Sequence, residues 1–386
     1  MIVLGLSLGP AISNGFARFA YGLVLPAMRD DLAWNFTQAG WVNTANAVGY
    51  LIGALLALSL VSRVGPRALF IWGFALTTLA LVLSATTRDL WVLSVWRVVA
   101  GIGGAPVFIA GGVIASGLFT DDKRMNALAI GVYFGGGGLG MLLTAITIPQ
   151  FMDWFGNPGW PLVWLVLGIW TFLAFIPSWI AAEAVEEPAS RADTAQAGSL
   201  PALAMLPALV CYFLFGLGYL IYITFLIAWM RGGGAETSMI VLTWAVMGIG
   251  VMLSPFLWQR VLANAQGGRA MAQTSLAVGI GILLPIAVDH PFSPVVSAAL
   301  VGGTFFMIPS SITTFSRKNL PAAQWGRAMS LFTVIFSIGQ IIGPVGAGAI
   351  SDITGGTALG LAISGAILLA GASVGAMQRP LPGGTA

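Results

Sequence analysis

The 386-residue sequence predicts an all-α membrane protein, with twelve transmembrane helices in two pseudo-symmetric six-helix bundles. Three observations predict it. First, 58% of the residues are hydrophobic and only 8% are charged, where an ordinary soluble chain carries about 25% charged residues; the solvent for most of this surface must be lipid. Second, apolar windows long enough to cross a bilayer recur twelve times. Third, small and polar residues repeat between the two halves at offsets of about 200 residues, as a parallel six-plus-six repeat requires.

The windows follow in order. The first, 3–28, carries Asn14, Arg18 and Tyr21 at spacings that share one face of a helix. The second, 38–60, carries Asn43, Asn46 and Tyr50, again at helical spacing. A short loop holding Arg63 and Arg67 leads to the third, 68–87. The fourth, 90–118, holds Arg97, and the fifth, 127–151, holds Tyr133 and the run GVYFGGGGLG (Gly131 to Gly140). That run follows no strand, so it is not a phosphate-binding loop; its glycines allow close helix approach and bending. The sixth window is 162–180. The acidic, Ala/Ser-rich stretch 182–200 then reads as a cytoplasmic linker between an N-terminal bundle, 1–181, and a C-terminal bundle, 201–386.

In the second half the windows are 203–230, with Tyr219 and Tyr222, then 239–258, 271–288, 294–316, 328–350 and 357–377. Window 328–350 holds Ser337 and Gln340 and the run GQIIGPVGAG (Gly339 to Gly348), in which Pro344 removes a backbone donor and is expected to kink the helix. Overlaying the halves sets Gly15 and Tyr21 on Gly216 and Tyr222, Gly103-Gly104 on Gly302-Gly303, and Gly136 and Gly140 on Gly339 and Gly343. Gly136, Gly140, Gly343 and Pro344 are the candidate hinge positions for a bundle that rocks.

With the N-terminus in the cytoplasm, eleven Lys and Arg residues fall in inner loops and three in outer ones, so both termini are expected in the cytoplasm of a cell inner (plasma) membrane. The pI of about 9.3 does not point to nucleic acid, because the bases are scattered over short loops and form no stripe. A lone cysteine, Cys211, allows no intrachain disulfide. No cofactor or metal is expected, no nucleophile–base pair is visible, and enzymatic activity is not expected. The expected partners are the lipid bilayer and a small, anionic substrate, and the chain is expected to act as a monomer.

All 13 acidic residues lie in loops or at span ends, while Arg18 and Arg97 lie deep. At 1.5 Å per residue both fall roughly 12–15 Å below the outer boundary, near the middle of a core about 30 Å thick. An arginine there costs about 2.5–3.5 kcal/mol on insertion scales and must face the bundle interior or a wet cavity. Two readings stand: guanidiniums hydrogen-bonded to carbonyls at helix breaks, or a site for a bound anion. With no buried carboxylate to neutralise either, and no deprotonation of guanidinium, the pair favours the anion. Tyr21, Asn14, Tyr219, Tyr222, Asn43, Asn46, Tyr133 and Gln340 are candidate ligand contacts, since such groups hydrogen-bond carboxylate or sulfonate oxygens; bridging of membrane helices is the competing role for the amides.

RVVAGIGGA (Arg97 to Ala105) resembles the span-4 motif of the major facilitator superfamily. SRVGPRAL (Ser62 to Leu69) resembles its loop between spans 2 and 3, with Ser62 where that loop has an acidic residue. The span-5 glycines resemble its antiporter motif, with Gly136 where a proline stands. GFARFAYGLVLPAMRDDL (Gly15 to Leu32) and FGLGYLIYITFLIAWM (Phe215 to Met230) resemble the YbfB/YjiJ-type branch. The resemblance implies a major facilitator fold, transport by alternating access, and a central cavity lined by spans 1, 4, 7 and 10. The expected function is a secondary membrane transporter of a small organic anion of carboxylate or sulfonate type. The alternative is an exporter of amphipathic or aromatic compounds. Proton-coupled carriers commonly relay the proton through a buried carboxylate, and this chain offers none.

Overall fold

The computed structural model describes residues 1–119, 122–185, 200–321 and 324–381. The stretch expected to link the halves, 182–200, lies for the most part outside the described residues. Every regular element among the described residues is helical.

Span 1 is built of three pieces: an α-helix Ile2–Pro10, a π-helix Ala11–Phe19, and an α-helix Ala20–Asp31. The next helix, Phe36–Ser84, has 49 residues, a rise of about 74 Å, more than twice the thickness of a bilayer core. It divides at Gly65, whose φ of 81° and ψ of 156° are non-helical and open to glycine alone without strain; Pro66 then starts the second piece where its missing N–H costs nothing. The two pieces are spans 2 and 3. Leu90–Ser116 is span 4, started by the Asp89 carboxylate, which accepts from the Trp91 and Val92 amides at 2.9 Å. Span 5 is Lys123–Phe155 and span 6 is Trp160–Glu183.

Spans 7, 8 and 9 are Leu206–Gly232, Thr237–Asn264 and Arg269–Ala287. Span 10 is broken into Ser293–Gly302 and Met307–Asn319, with Gly303 to Phe306 in turns between them. Span 11, Trp325–Thr354, runs on as helix through Pro344, and span 12 is Ala358–Ala376. Among the described residues, ten helices are long and apolar enough to cross a membrane. Dividing Phe36–Ser84 at Gly65 and counting the three-piece span 1 brings the crossings to twelve.

The glycine correspondences have a packing cause. A methyl group on Gly136 or Gly140 would overlap the carbonyl oxygens of Ser7 and Ala11 on span 1. One on Gly339 or Gly343 would overlap those of Phe213 and Leu217 on span 7. The G-x-x-x-G of span 5 thus seats span 1 as that of span 11 seats span 7, the small-residue approach of membrane helices in both halves.

The bundles meet through spans 1 and 7, 2 and 11, and 5 and 8, and Phe108 of span 4 stacks on Phe306 in the break of span 10. One face of the molecule, the face holding the connection from span 1 to span 2, is sealed. There span 1 stays buried from Ala11 to Leu25 and span 7 from Gly218 to Ile227. Phe36 and Thr37 at the start of span 2 bind Asp352 near the end of span 11, and Thr237 at the start of span 8 donates to Asp153 near the end of span 5, at 3.0 Å. Toward the opposite face the facing side chains Phe108, Phe306 and Phe336 are only half-buried.

Candidate functional site

Arg18 lies in the π-helix of span 1, 3% exposed. Its guanidinium carbon is 4.7 Å from the ring centroid of Tyr50 on span 2. Nε and Nη2 are buried and have no hydrogen-bond partner. Tyr219 of span 7 lies within electrostatic reach of the same cation. The Gln340 amide of span 11 donates to the Tyr219 hydroxyl oxygen, which leaves the tyrosine O–H to donate elsewhere. Gln340 Oε1 and Ser337 Oγ are also buried without partners. Arg18, Tyr50, Tyr219 and Gln340 therefore form one polar cluster across both bundles.

Arg97 is 1% exposed and has different company. Its guanidinium carbon is 5.4 Å from the Tyr21 centroid and 5.1 Å from that of Trp164 on span 6, and Nε, Nη1 and Nη2 have no hydrogen-bond partner. A desolvated cation–π contact is worth about 2 kcal/mol. Two of them roughly offset the insertion cost of Arg97, about 2.5–3.5 kcal/mol; the single ring under Arg18 does not. No carboxylate among the described residues bridges to either arginine, and the two cations repel one another.

The π-helix explains why Arg18 and Tyr21 face different neighbours. Its i→i+5 bonding widens the turn, so the common face expected from 3.6-residue spacing is lost. Tyr21 turns to Arg97 and donates its hydroxyl to the Ala39 carbonyl at 2.6 Å. Asn14 stays in the π segment with Nδ2 buried and unpartnered, beside Ser13, whose Oγ is in the same state.

The other expected contacts are held by protein partners. Asn43 donates across the bundles to Thr224 Oγ1 at 2.6 Å, and Asn46 to the Arg97 carbonyl at 3.1 Å. Tyr133 donates to the carbonyls of Val107 and Phe108 at 2.9 and 3.0 Å. Tyr222 shares a 2.7 Å hydrogen bond with Ser297. At Gly136, Gly140 and Gly343 the structure shows tight interhelical contact, and the Pro344 carbonyl lies against Gly40 of span 2.

Sequence reasoning missed the aromatic row beside Arg18. The Tyr219 ring stacks on Phe305 at 5.9 Å and 20°, Phe305 on Phe306 at 4.7 Å and 25°, and Phe306 on Phe108 of span 4 at 6.1 Å and 20°. Phe19, next to Arg18 in the chain, sets its edge on Phe305 at 5.8 Å. The only trace in the sequence is the Phe-Phe pair after Gly302-Gly303.

Residues 11–375 match the family described as "Uncharacterised MFS-type transporter YbfB". The chain is 24% identical over 354 residues to the inner membrane transport protein YdhP of Escherichia coli (strain K12), covering 90% of this chain and 88% of that protein. It is 28% identical over 183 residues to the gentisate transporter of Corynebacterium glutamicum, covering 43% of this chain and 38% of that one. Its fold is similar to the crystal structure of a D-xylose-proton symporter, with a TM-score of 0.77 at 13% identity, covering 100% of this chain and 98% of the other. As the motifs at Arg97, Gly15 and Phe215 implied, the chain belongs to the YbfB-type family of major facilitator transporters.

Proposed function

We propose that this transporter moves a small organic anion, of carboxylate or sulfonate type, through the inner membrane by alternating access. The bundles 1–181 and 201–386, joined by the cytoplasmic stretch 182–200, rock about the cluster at Arg18, and both termini lie in the cytoplasm. The working unit is the monomer. One observation carries the reading: the Arg18 guanidinium is buried with unpartnered donors, no counter-charge among the described residues and a single ring beneath it. An anion with two or three oxygens satisfies those donors and accepts from Tyr219 as well. The relative named as a gentisate transporter also carries an organic acid anion. Arg97 adds to the positive potential from behind, through Tyr21, without touching the ligand.

The test is uptake of labelled carboxylates and sulfonates into proteoliposomes. A charge-assisted hydrogen bond is worth about 1.5–3 kcal/mol, so Arg18→Ala should lower uptake at least about tenfold. Arg18→Lys keeps the charge without the fork and should fall in between. Undiminished uptake by a folded Arg18→Ala protein overturns the reading.

A further inference from the structure

The row of rings beside Arg18 constrains the shape of the anion as well as its charge. Tyr219, Phe305, Phe306 and Phe108 lie within 25° of parallel at each step. Tyr212, Phe215 and Phe336 continue the same parallel run from Tyr219 within the second bundle, within 17° at each contact. The last step of the run, Phe306 on Phe108, is the one that crosses between the bundles: Phe306 follows the break in span 10 and Phe108 lies on span 4. Both are half-buried, on the side away from the sealed face. Their centroids are 6.1 Å apart. Two aromatic contacts at van der Waals distance need parallel walls about 7 Å apart. Rocking of the bundles that brings these two ring planes to that separation turns the cross-bundle stack into a slot.

We infer that the guest is a planar aromatic acid, its ring sandwiched between Phe108 and Phe306 and its carboxylate directed to Arg18 and Tyr219. The inference rests on the anion reading above and narrows it. The geometry links the two subsites. Phe19 follows Arg18 in the chain and touches both Phe305 and Phe306, at 5.8 and 6.3 Å. Tyr219 stacks on Phe305 while its hydroxyl is fixed by Gln340. Phe19 and Tyr219 thus join the ring slot to the cation through a continuous set of side-chain contacts. A guest bound between the two phenylalanines also ties span 4 to span 10, so its binding is coupled to the relative position of the bundles.

The experiment compares benzoate with cyclohexanecarboxylate and butyrate, by uptake into proteoliposomes and by the ligand-induced rise in melting temperature of the purified chain. Benzoate and cyclohexanecarboxylate have the same charge and nearly the same size and differ in planarity and π-character. Two stacking faces should favour benzoate by roughly three- to tenfold. Phe108→Leu and Phe306→Leu should bring that ratio toward one, while Arg18→Ala should weaken all three ligands together. Equal binding of benzoate and cyclohexanecarboxylate overturns the aromatic slot and leaves the anion reading standing. A ratio that survives both leucine variants also overturns it. Failure of all three carboxylates overturns the broader reading and this one with it. The wild-type ratio decides the matter even where a variant does not fold.

Discussion

Asp352 is the place to test how the sealed face is held. Four backbone N–H groups at the start of span 2 have no partner within the helix. A reciprocal capping box takes two of them: the Asn35 side chain accepts from the Gln38 amide at 2.8 Å, and Gln38 Oε1 accepts from the Asn35 amide at 3.0 Å. The other two, on Phe36 and Thr37, donate to the Asp352 carboxylate of span 11 at 2.7 and 3.0 Å, and the Thr37 hydroxyl adds a third bond at 2.5 Å. A negative charge from one bundle thus completes the cap of a helix in the other. Loss of a capping side chain costs about 0.5–2 kcal/mol, and a charge at a helix N-terminus adds about 0.3–1 kcal/mol at an exposed site. The carboxylate is exposed, so a total of about 1–2 kcal/mol is reasonable, or roughly 5–30-fold in the equilibrium between sealed and open.

Asp352→Ala should therefore raise the population open on this face by about tenfold. The reporter is Thr44→Cys, placed where the Thr44 hydroxyl meets the Ile341 carbonyl across the bundles at 2.9 Å, in a background where the buried Cys211 is replaced by alanine. Its rate of reaction with a membrane-impermeant maleimide tracks the open population when opening is fast relative to labelling. Asp352→Ala should speed labelling about tenfold, and Asp352→Asn, which keeps an acceptor and loses the charge, should fall between. An unchanged rate in a folded Asp352→Ala protein would refute the capping argument.

Other outcomes follow from the same geometry. Thr237→Val removes the single Thr237–Asp153 hydrogen bond on the sealed face and should speed the same labelling by about two- to tenfold. Gly136→Ala places a methyl against the Ser7 carbonyl, while Gly346→Ala in span 11 meets nothing within 4 Å. The first should lower thermal stability by about 1–3 kcal/mol and the second should be neutral or stabilising by up to about 1 kcal/mol. Equal losses at both would show that close approach of spans 1 and 5 is not what Gly136 provides. Arg97→Met keeps volume against Tyr21 and Trp164 and removes a buried cation. Replacing buried charge by apolar groups is often neutral or stabilising, so the melting temperature should hold or rise and uptake should fall less than in Arg18→Ala; a greater loss of uptake would place Arg97 in contact with the ligand.

What was legible in the sequence is what the bilayer imposes locally. A span must be apolar over its length, so the twelve windows mark the crossings, including the two that lie within Phe36–Ser84. Helices that touch backbone to backbone need small residues at fixed intervals, so Gly136/Gly140 and Gly339/Gly343 carry the repeat in their spacing. The breaks in regular helix show the limit of that logic. Span 11 continues as helix through Pro344, while the interruptions fall at Gly65, in the π-helix of span 1 and at Gly303 to Phe306 in span 10. The π-helix depends on how span 1 is gripped by its neighbours, which no local pattern encodes.

The same distinction governs the two arginines. Depth is a linear property of a helix, fixed by counting residues at 1.5 Å each, and it put Arg18 and Arg97 at one level. Direction is an angular property, and one widened turn is enough to change it. Between Arg18 and Tyr21 the chain leaves the π-helix for an α-helix, and the two side chains part: Arg18 goes to Tyr50 beside the second bundle, Tyr21 to Arg97 inside the first. Two charges of one sign thereby acquire different surroundings: both keep unmatched donors, but one is enclosed by two rings of its own bundle and the other lies over a single ring where the bundles meet. That difference makes the Arg18 cluster the part of the molecule that both bundles build and that neither completes without the other.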